Sequence, residues 1–220
     1  MLRNIMVLLF SLYLPLGIVA QSQGMEIGLK IGASFPAGDF AAGGSAGGGG
    51  TRGGFAEPGF TMGGEISFPV MKNSNLYWMN VISYHNHQTN YSTIFPPYLY
   101  NVTSGSWHIL TPLTGLKYRM RFARDFAAYG FAQGGYMYGI SPELQLSSAQ
   151  GTGTQETAEG GSFAYSVGMG VFISDLVDLT FRYVHGDPTY EVTTSTSGEP
   201  TVTSFQQNTT MIQLVGGLTF

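Results

Sequence analysis

Charged side chains and cysteine are what this sequence lacks. It contains no cysteine, and Asp, Glu, Lys and Arg together make up only 10% of its residues, against about 25% in an average soluble domain. The missing cysteines exclude disulfides, cysteine-ligated zinc, a thiol nucleophile and a lipid-modified N-terminal cysteine. The scarcity of charge leaves too little polar surface for an ordinary soluble globule.

Long apolar runs are also missing beyond the N-terminus. After residue 22 no stretch supplies the roughly 18 consecutive apolar residues of a membrane-spanning helix, although 43% of the chain is hydrophobic. The aromatic content of 14% is too high for a disordered chain. Dispersed apolar residues with few charges are typical of a closed β-barrel in a membrane.

The first 22 residues are interpreted as a signal peptide. Arg3 precedes an apolar run over residues 5–19, whose length and basic flank suit a secretory signal better than a membrane span. Ala20 and Ser22 are the candidate last residues before cleavage. We therefore expect an exported chain in which residues 23–220 form one outer-membrane β-barrel domain.

Alternation of apolar and polar residues predicts eight strands. They cover about residues 26–35, 59–70, 76–87, 107–119, 126–138, 163–173, 177–183 and 212–220. The apolar face of each strand is predicted to meet lipid, and the small or charged face to line the lumen. The third strand is ambiguous: Tyr77, Met79 and Val81 are predicted to face lipid, although Trp78 and Ile82 would then point inward.

Glycine and proline predict details of these strands. Pro112 has no N–H for a ladder and indicates a bulge or an unpaired N–H position. Gly134 and Gly135 indicate a bulge that resets the register. The chain has 32 glycines, which suit the narrow lumen of an eight-stranded barrel because small residues leave room for charged side chains.

The connectors between the strands alternate in length. Three are short, whereas the four over residues 36–58, 88–106, 141–162 and 187–207 have about 20 residues each. Short turns at one end and long loops at the other are typical of outer-membrane barrels. The long connectors contain one cation, Arg52, and the carboxylates Asp39, Glu57, Glu143, Glu156, Glu159, Asp187, Glu191 and Glu199. We expect four long acidic loops outside the cell.

Charged residues within the strands fall on the predicted inner face. A lumen ion-pair network is predicted from Glu26, Lys30, Glu65, Lys117, Asp178 and Arg182. These groups must pair with one another, because an unpaired buried charge is costly. A charge on the lipid face would cost about 2–4 kcal/mol.

Two strands carry a family resemblance. The final run from Met211 alternates and ends in Phe220, and the fourth strand contains Pro112-Leu113 followed by Leu116-Lys117-Tyr118. These features resemble the small eight-stranded outer-membrane β-barrels of Gram-negative bacteria, of the OmpA/OmpX type, and the porin-family barrel domain. The resemblance implies an all-β, eight-stranded antiparallel up-and-down transmembrane β-barrel with both termini in the periplasm. It also implies that Leu218 and Phe220 carry the signal read by the barrel-assembly machinery.

No catalytic residue and no cofactor site are predicted. His85, His87 and His108 map to the long-loop end of neighbouring strands and are the candidates for a metal site, with water- and headgroup-facing rim histidines as the alternative. His185 and Asp187 lie near each other on the seventh strand, but catalytic groups are recognised by geometry rather than by abundance. We expect no enzyme, no cofactor and no nucleic-acid partner.

These features predict an integral outer-membrane protein with a structural or surface-interaction role, surrounded by lipid and lipopolysaccharide. Its acidic loops would favour a cationic protein partner, or divalent cations that bridge lipopolysaccharide. The alternatives are a narrow porin-like channel and an accessory subunit of a larger outer-membrane complex. A closed ion-pair network across the lumen would argue against the channel.

Overall fold

The structure, a computed structural model, describes residues 24–42, 53–91, 95, 99–148, 151–173, 176–195 and 200–220. The predicted signal peptide lies outside the described residues, as do Arg52 and Glu199 of the long connectors. In the part of the chain that is described, no helix is long and apolar enough to cross a membrane.

The described residues form thirteen strands and one short helix. The strands are β1 (Glu26–Ala37), β2 (Gly59–Pro69), β3 (Leu76–Gln88), β4 (Asn101–Ser104), β5 (Ser106–Ala123), β6 (Phe126–Ile140), β7 (Leu144–Ser148), β8 (Gly151–Gln155), β9 (Glu159–Ile173), β10 (Val177–Gly186), β11 (Thr189–Ser195), β12 (Thr201–Gln206) and β13 (Thr209–Thr219). The 3-10 helix η1 covers Gly38–Phe40.

Eight of these strands close into a barrel. In order around the barrel they are β1, β2, β3, β5, β6, β9, β10 and β13, and β13 pairs back with β1. All of these pairings are antiparallel. Closure removes the unpaired sheet edges that lipid does not tolerate. The predicted eight-stranded antiparallel barrel is confirmed.

Successive residues of a barrel strand face lipid and lumen in turn. In β1, Leu29 and Ile31 are 64% and 66% exposed, while Lys30 between them and Ser34 further along are buried. The same alternation holds in β9, where Met169 is exposed. The outer surface is therefore an apolar belt of the kind that faces hydrocarbon.

The face predicted for β3 is wrong. Met79 and Val81 are buried in the lumen, and the Tyr77 ring lies beneath the Lys117 ammonium, 5.5 Å from Nζ to the ring centroid. Trp78 is the residue that faces outward. Met79 and Val81 pack inside the barrel with Tyr129, Phe131 and Phe172, next to the charged side chains at this level. Both faces of β3 therefore carry apolar side chains, and polarity does not distinguish them.

Neither predicted bulge is present in the described ladders. The β5–β6 pairing omits Thr111 and Pro112 and resumes at Leu113 in the same register, which agrees with the other alternative predicted for Pro112, a position without a ladder partner on that side. β6 pairs with both neighbours in one register through Gly134 and Gly135, and the shift in the β5–β6 ladder lies beside the short turn instead. Gly135 has a different role, since a Cβ there would collide with the Pro112 carbonyl oxygen.

The connectors at the long-loop end contain strands that the sequence pattern did not predict. β7 and β8 form one hairpin, and β11 and β12 form another. β4 pairs with β7, and β8 pairs with β11, so a sheet continues beyond the barrel rim. These segments are rich in Thr, Ser, Gln and Gly. Apolar alternation is limited to Leu144-Gln145-Leu146 in β7 and Tyr190-Glu191-Val192 in β11, which is too short to predict a strand.

Candidate functional site

Side chains fill the lumen in two layers. The charged layer, at the short-turn end, comprises Glu26, Lys30, Glu65, Lys117, Arg119, Tyr129 and Asp178. The apolar layer, at the long-loop end, comprises Phe40, Trp107, Ile109, Met137, Val184, Tyr190 and Met211. Both layers consist of inward-facing residues, and buried polar side chains such as Thr111 and Arg182 lie between them along the strands.

Two lysines join the charged layer across the bore. Lys30 Nζ lies 2.6 Å from Glu65 Oε2 and 2.7 Å from Asp178 Oδ2. Lys117 Nζ lies 2.8 Å from Glu65 Oε1 and 3.0 Å from Glu26 Oε2. Glu65 therefore bridges the two lysines, and the ion pairs connect β1, β2, β5 and β10. Lys117 is 0% exposed, so these pairs are shielded from water.

The other two members of the charged layer, Arg119 and Tyr129, bind its carboxylates. Arg119 Nη1 lies 2.8 Å from Glu26 Oε1, and the Tyr129 hydroxyl donates to Asp178 Oδ1 at 2.6 Å. The Tyr129 ring fits because the neighbouring strand has Gly170 at the same level, where a Cβ would collide with the ring. The prediction that glycine makes room for charged side chains has its instance at Gly217, where a Cβ would lie 2.8 Å from Lys30 Cγ.

Arg182 stands apart from the other residues predicted for the network. Within the described part of the chain, it lies within ion-pair distance of no carboxylate. Its Nη1 donates to Ser83 Oγ at 3.4 Å, and its guanidinium carbon lies 5.1 Å from the Phe131 ring centroid. The structure brings together Glu26, Lys30, Glu65, Lys117 and Asp178. Arg182 lies nearer the long-loop end than these residues, further along β10 than Asp178.

The apolar layer is centred on Trp107. Its indole packs edge-on against Phe40 at 5.6 Å and Tyr190 at 5.4 Å between ring centroids, and its Nε1 donates to the Gly54 carbonyl at 2.8 Å. Burial raises the pKa of the Tyr190 phenol. Phe40 and Tyr190 come from the long connectors, whose residues were predicted to lie outside the cell, so sequence reasoning missed this layer.

The three histidines considered for a metal do not converge. His85 and His87 are fully buried in the lumen, whereas His108 faces outward with Nδ1 2.6 Å from the Tyr84 hydroxyl. His87 Nε2 lies 3.2 Å from Ser34 Oγ. The rim alternative is wrong for His85 and His87. Among the described residues, no group of three or more His, Cys, Asp or Glu side chains is placed to hold a metal ion.

His185 and Asp187 do meet at the outer rim. His185 Nε2 lies 3.4 Å from Asp187 Oδ2, and its Nδ1 lies 2.9 Å from Thr210 Oγ1. The Thr210 hydroxyl donates its proton to Asn208 Oδ1 at 3.0 Å. His185 Nδ1 is therefore the donor to Thr210, which is the opposite of the proton flow that activates a hydroxyl nucleophile.

The residues predicted as an assembly signal lie at the seam of the barrel. Leu218 and Phe220 are 47% and 69% exposed on the lipid face. The Phe220 backbone exchanges two hydrogen bonds with Ile27, at 2.8 and 2.9 Å. Their part in assembly stays a prediction.

Known structures share this architecture. A major outer membrane protein from Thermus thermophilus is 8% identical with a TM-score of 0.55, covering 90% of this chain and 100% of its own. The fold is that of a small outer-membrane β-barrel. Ail, the attachment invasion locus protein of Yersinia pestis, is 14% identical with a TM-score of 0.46, and the match covers 90% of this chain and 100% of Ail. OprG from Pseudomonas aeruginosa is 14% identical with a TM-score of 0.47, and the match covers 89% of this chain and 95% of OprG. At such identities the likeness concerns the fold. No protein-family model matches the sequence, and no curated protein matches it.

Proposed function

We propose that this chain is an integral outer-membrane protein with a structural or surface-interaction role, and that its barrel does not conduct solutes. The observation that carries the proposal is the filling of the lumen by two successive layers, one of ion pairs and one of packed aromatic and aliphatic side chains. An eight-stranded barrel is just wide enough for side chains to fill it.

A solute crossing the barrel would have to separate both layers. Moving past the charged layer means parting Glu65 from Lys30 or from Lys117, and these groups are at most 7% exposed. An uncompensated buried charge is strongly unfavourable. The Trp107 cluster would then have to be displaced as well, with loss of its packing.

Solute flux into proteoliposomes tests this proposal. Vesicles carrying the refolded barrel are expected to swell in small sugars no faster than protein-free vesicles, while vesicles carrying a general porin swell quickly. Flux that rises with the amount of barrel would overturn the closed lumen and favour the narrow porin-like channel.

The surface-interaction role rests on the acidic long-loop end. The four long connectors carry eight carboxylates against one cation, and the sheet of β4, β7, β8, β11 and β12 holds part of them beyond the rim. Such a surface attracts cationic partners at low ionic strength.

Binding of an oligolysine peptide to the detergent-solubilised barrel tests the surface role. We expect salt-sensitive binding that weakens in the Glu143→Gln, Glu156→Gln, Glu191→Gln triple variant. The matched control, Asp125→Asn, removes a carboxylate at the short-turn end and should leave binding unchanged. Equal binding by the triple variant would contradict a role for the acidic loops.

Export and assembly complete the proposal. Residues 1–22 act as a signal peptide, and Leu218 with Phe220 is read by the barrel-assembly machinery in the outer membrane. Removing Phe220 is expected to lower the fraction of folded barrel in a Gram-negative host, judged by its heat-dependent shift on electrophoresis. A defined complex after mild detergent extraction would favour the accessory-subunit alternative.

A further inference from the structure

The charges inside the barrel do not balance. The described lumen residues include four cations, Lys30, Lys117, Arg119 and Arg182, against three carboxylates, Glu26, Glu65 and Asp178. Each carboxylate already lies within 3.0 Å of a cation of the charged layer. Arg182 is the cation left over, and it is only 3% exposed.

The guanidinium of Arg182 also has unused donors. Nη1 reaches Ser83 Oγ at 3.4 Å, but Nε and Nη2 are buried and have no hydrogen-bond partner among the described residues. A guanidinium keeps its proton in proteins, so the side chain cannot neutralise itself. A buried charge without a carboxylate at ion-pair distance and without full hydrogen bonding is strongly unfavourable.

A small cavity adjoins this side chain. Its volume is about 10 Å³, and its walls include Arg182, Lys30, Thr61, Ser83, Thr180 and Gln213. That volume is about enough for one water-sized particle. Two of the walls are cationic, and the carboxylates of the charged layer do not line it.

Gln213, which also lines the cavity, can donate a hydrogen bond to an anion there. Its Oε1 has no partner, and its Nε2 lies 3.2 Å from His85 Nδ1. Rotating the amide by half a turn exchanges the two atoms. His85 Nδ1–H then donates to Oε1, and His85 Nε2 accepts from the Thr111 hydroxyl 2.9 Å away, which turns from its longer 3.4 Å contact with the Ser83 carbonyl. The rotated amide presents N–H groups in place of the unpaired oxygen.

We propose that this cavity binds one small monovalent anion of the chloride class, held by the Arg182 guanidinium. A water molecule would satisfy the hydrogen bonds, but only an anion also compensates the fourth cation. The size of the cavity excludes sulfate and phosphate. The site would stabilise the barrel from within and is independent of what the loops bind.

Urea unfolding of the barrel in detergent micelles tests the site, with chloride replaced by gluconate at constant ionic strength. Above half-saturation, each tenfold rise in chloride is expected to raise the folding equilibrium constant by up to tenfold. Arg182→Gln should lose this dependence. Arg119→Gln, which removes a cation already paired with Glu26, should keep it. Equal stability in the two salts, or an equal chloride effect in Arg182→Gln, would overturn the proposal.

Bromide-soaked crystals of the wild-type barrel give a second test that needs no variant. An anomalous peak in contact with the Arg182 guanidinium is expected. Ordered water at that position with no anomalous signal would assign the cavity to water and overturn the anion site.

Discussion

The two ends of the lumen are closed by different chemistry. At the short-turn end the closing groups are ion pairs made by strand residues, with Glu65 between Lys30 and Lys117. At the long-loop end they are packed rings, and Phe40 and Tyr190 reach in from the connectors around Trp107. The charged layer therefore depends on particular partners at particular distances, whereas the apolar layer depends on filled volume.

The largest effect is expected from emptying the apolar layer. Trp107→Ala should lower the free energy of unfolding by about 3–5 kcal/mol, because it leaves a cavity among buried rings. The heat-dependent electrophoretic shift, followed across a urea series, measures the loss. Trp78→Ala is the matched control, since Trp78 faces lipid and its removal opens no cavity in the lumen. Equal losses for the two variants would contradict a packed layer around Trp107.

The next effect is expected from the charged layer. Lys117→Met removes a cation from Glu26 and Glu65, and should cost about 3 kcal/mol because two buried carboxylates each lose a partner. Each keeps a second cation, Arg119 or Lys30, which places the cost at the low end for a broken buried pair. Tryptophan fluorescence during urea unfolding measures it.

The control for this variant is Lys72→Met, in the exposed short turn. It should change stability by less than about 0.5 kcal/mol. If Lys117→Met were as mild as Lys72→Met, the charged layer would contribute little to stability.

A smaller effect is expected from a single methyl group. Gly170→Ala should destabilise the barrel by about 1–3 kcal/mol, because the new Cβ meets the Tyr129 ring and forces it to move. Gly216→Ala adds the same methyl where no atom lies within 4 Å, and should be neutral. The same urea titration compares them, and equal results would show that the lumen has spare room beside Tyr129.

The smallest effect is expected on the lipid face. The Thr114 hydroxyl donates to Asn80 Oδ1 at 2.8 Å on the outer surface of β3 and β5. Replacing both residues, as Asn80→Leu with Thr114→Val, should change stability by less than about 1 kcal/mol, because such pairs contribute little in membranes. A loss as large as that of Lys117→Met would mean that the outer face, and not only the lumen, holds the barrel together.

The difference between the layers also explains which features of the lumen could be predicted from the sequence. Strand alternation placed Lys30, Lys117 and Asp178 on the inner face because a charge on the lipid side is costly. Alternation did not identify the partners of these charges. Lys117 pairs with Glu65 and Glu26, which precede it by 52 and 91 positions along the chain. Those distances are set only when the barrel closes.

Alternation fails where both faces have the same polarity. The inward Met79 and Val81 of β3 resemble lipid-facing residues, so the face was assigned wrongly. The apolar layer could not be predicted from the sequence for another reason. Phe40 lies in a 3-10 helix of three residues, and the alternation around Tyr190 extends only to Val192. An aromatic side chain in a long connector is the signal that points to this layer.

The glycines of β6 show the limit of local rules. Gly134 and Gly135 are adjacent, as at many bulges, yet the register runs through them unchanged. Gly135 is required by the close approach of the Pro112 backbone on the neighbouring strand, a contact that no reading of β6 alone reveals.

The most direct test of the closed lumen is the current through planar bilayers containing the wild-type barrel. The two layers predict no steady current above that of the bare bilayer, at either polarity and in concentrated salt. Steady current steps that scale with salt concentration would show a continuous aqueous path and contradict the account.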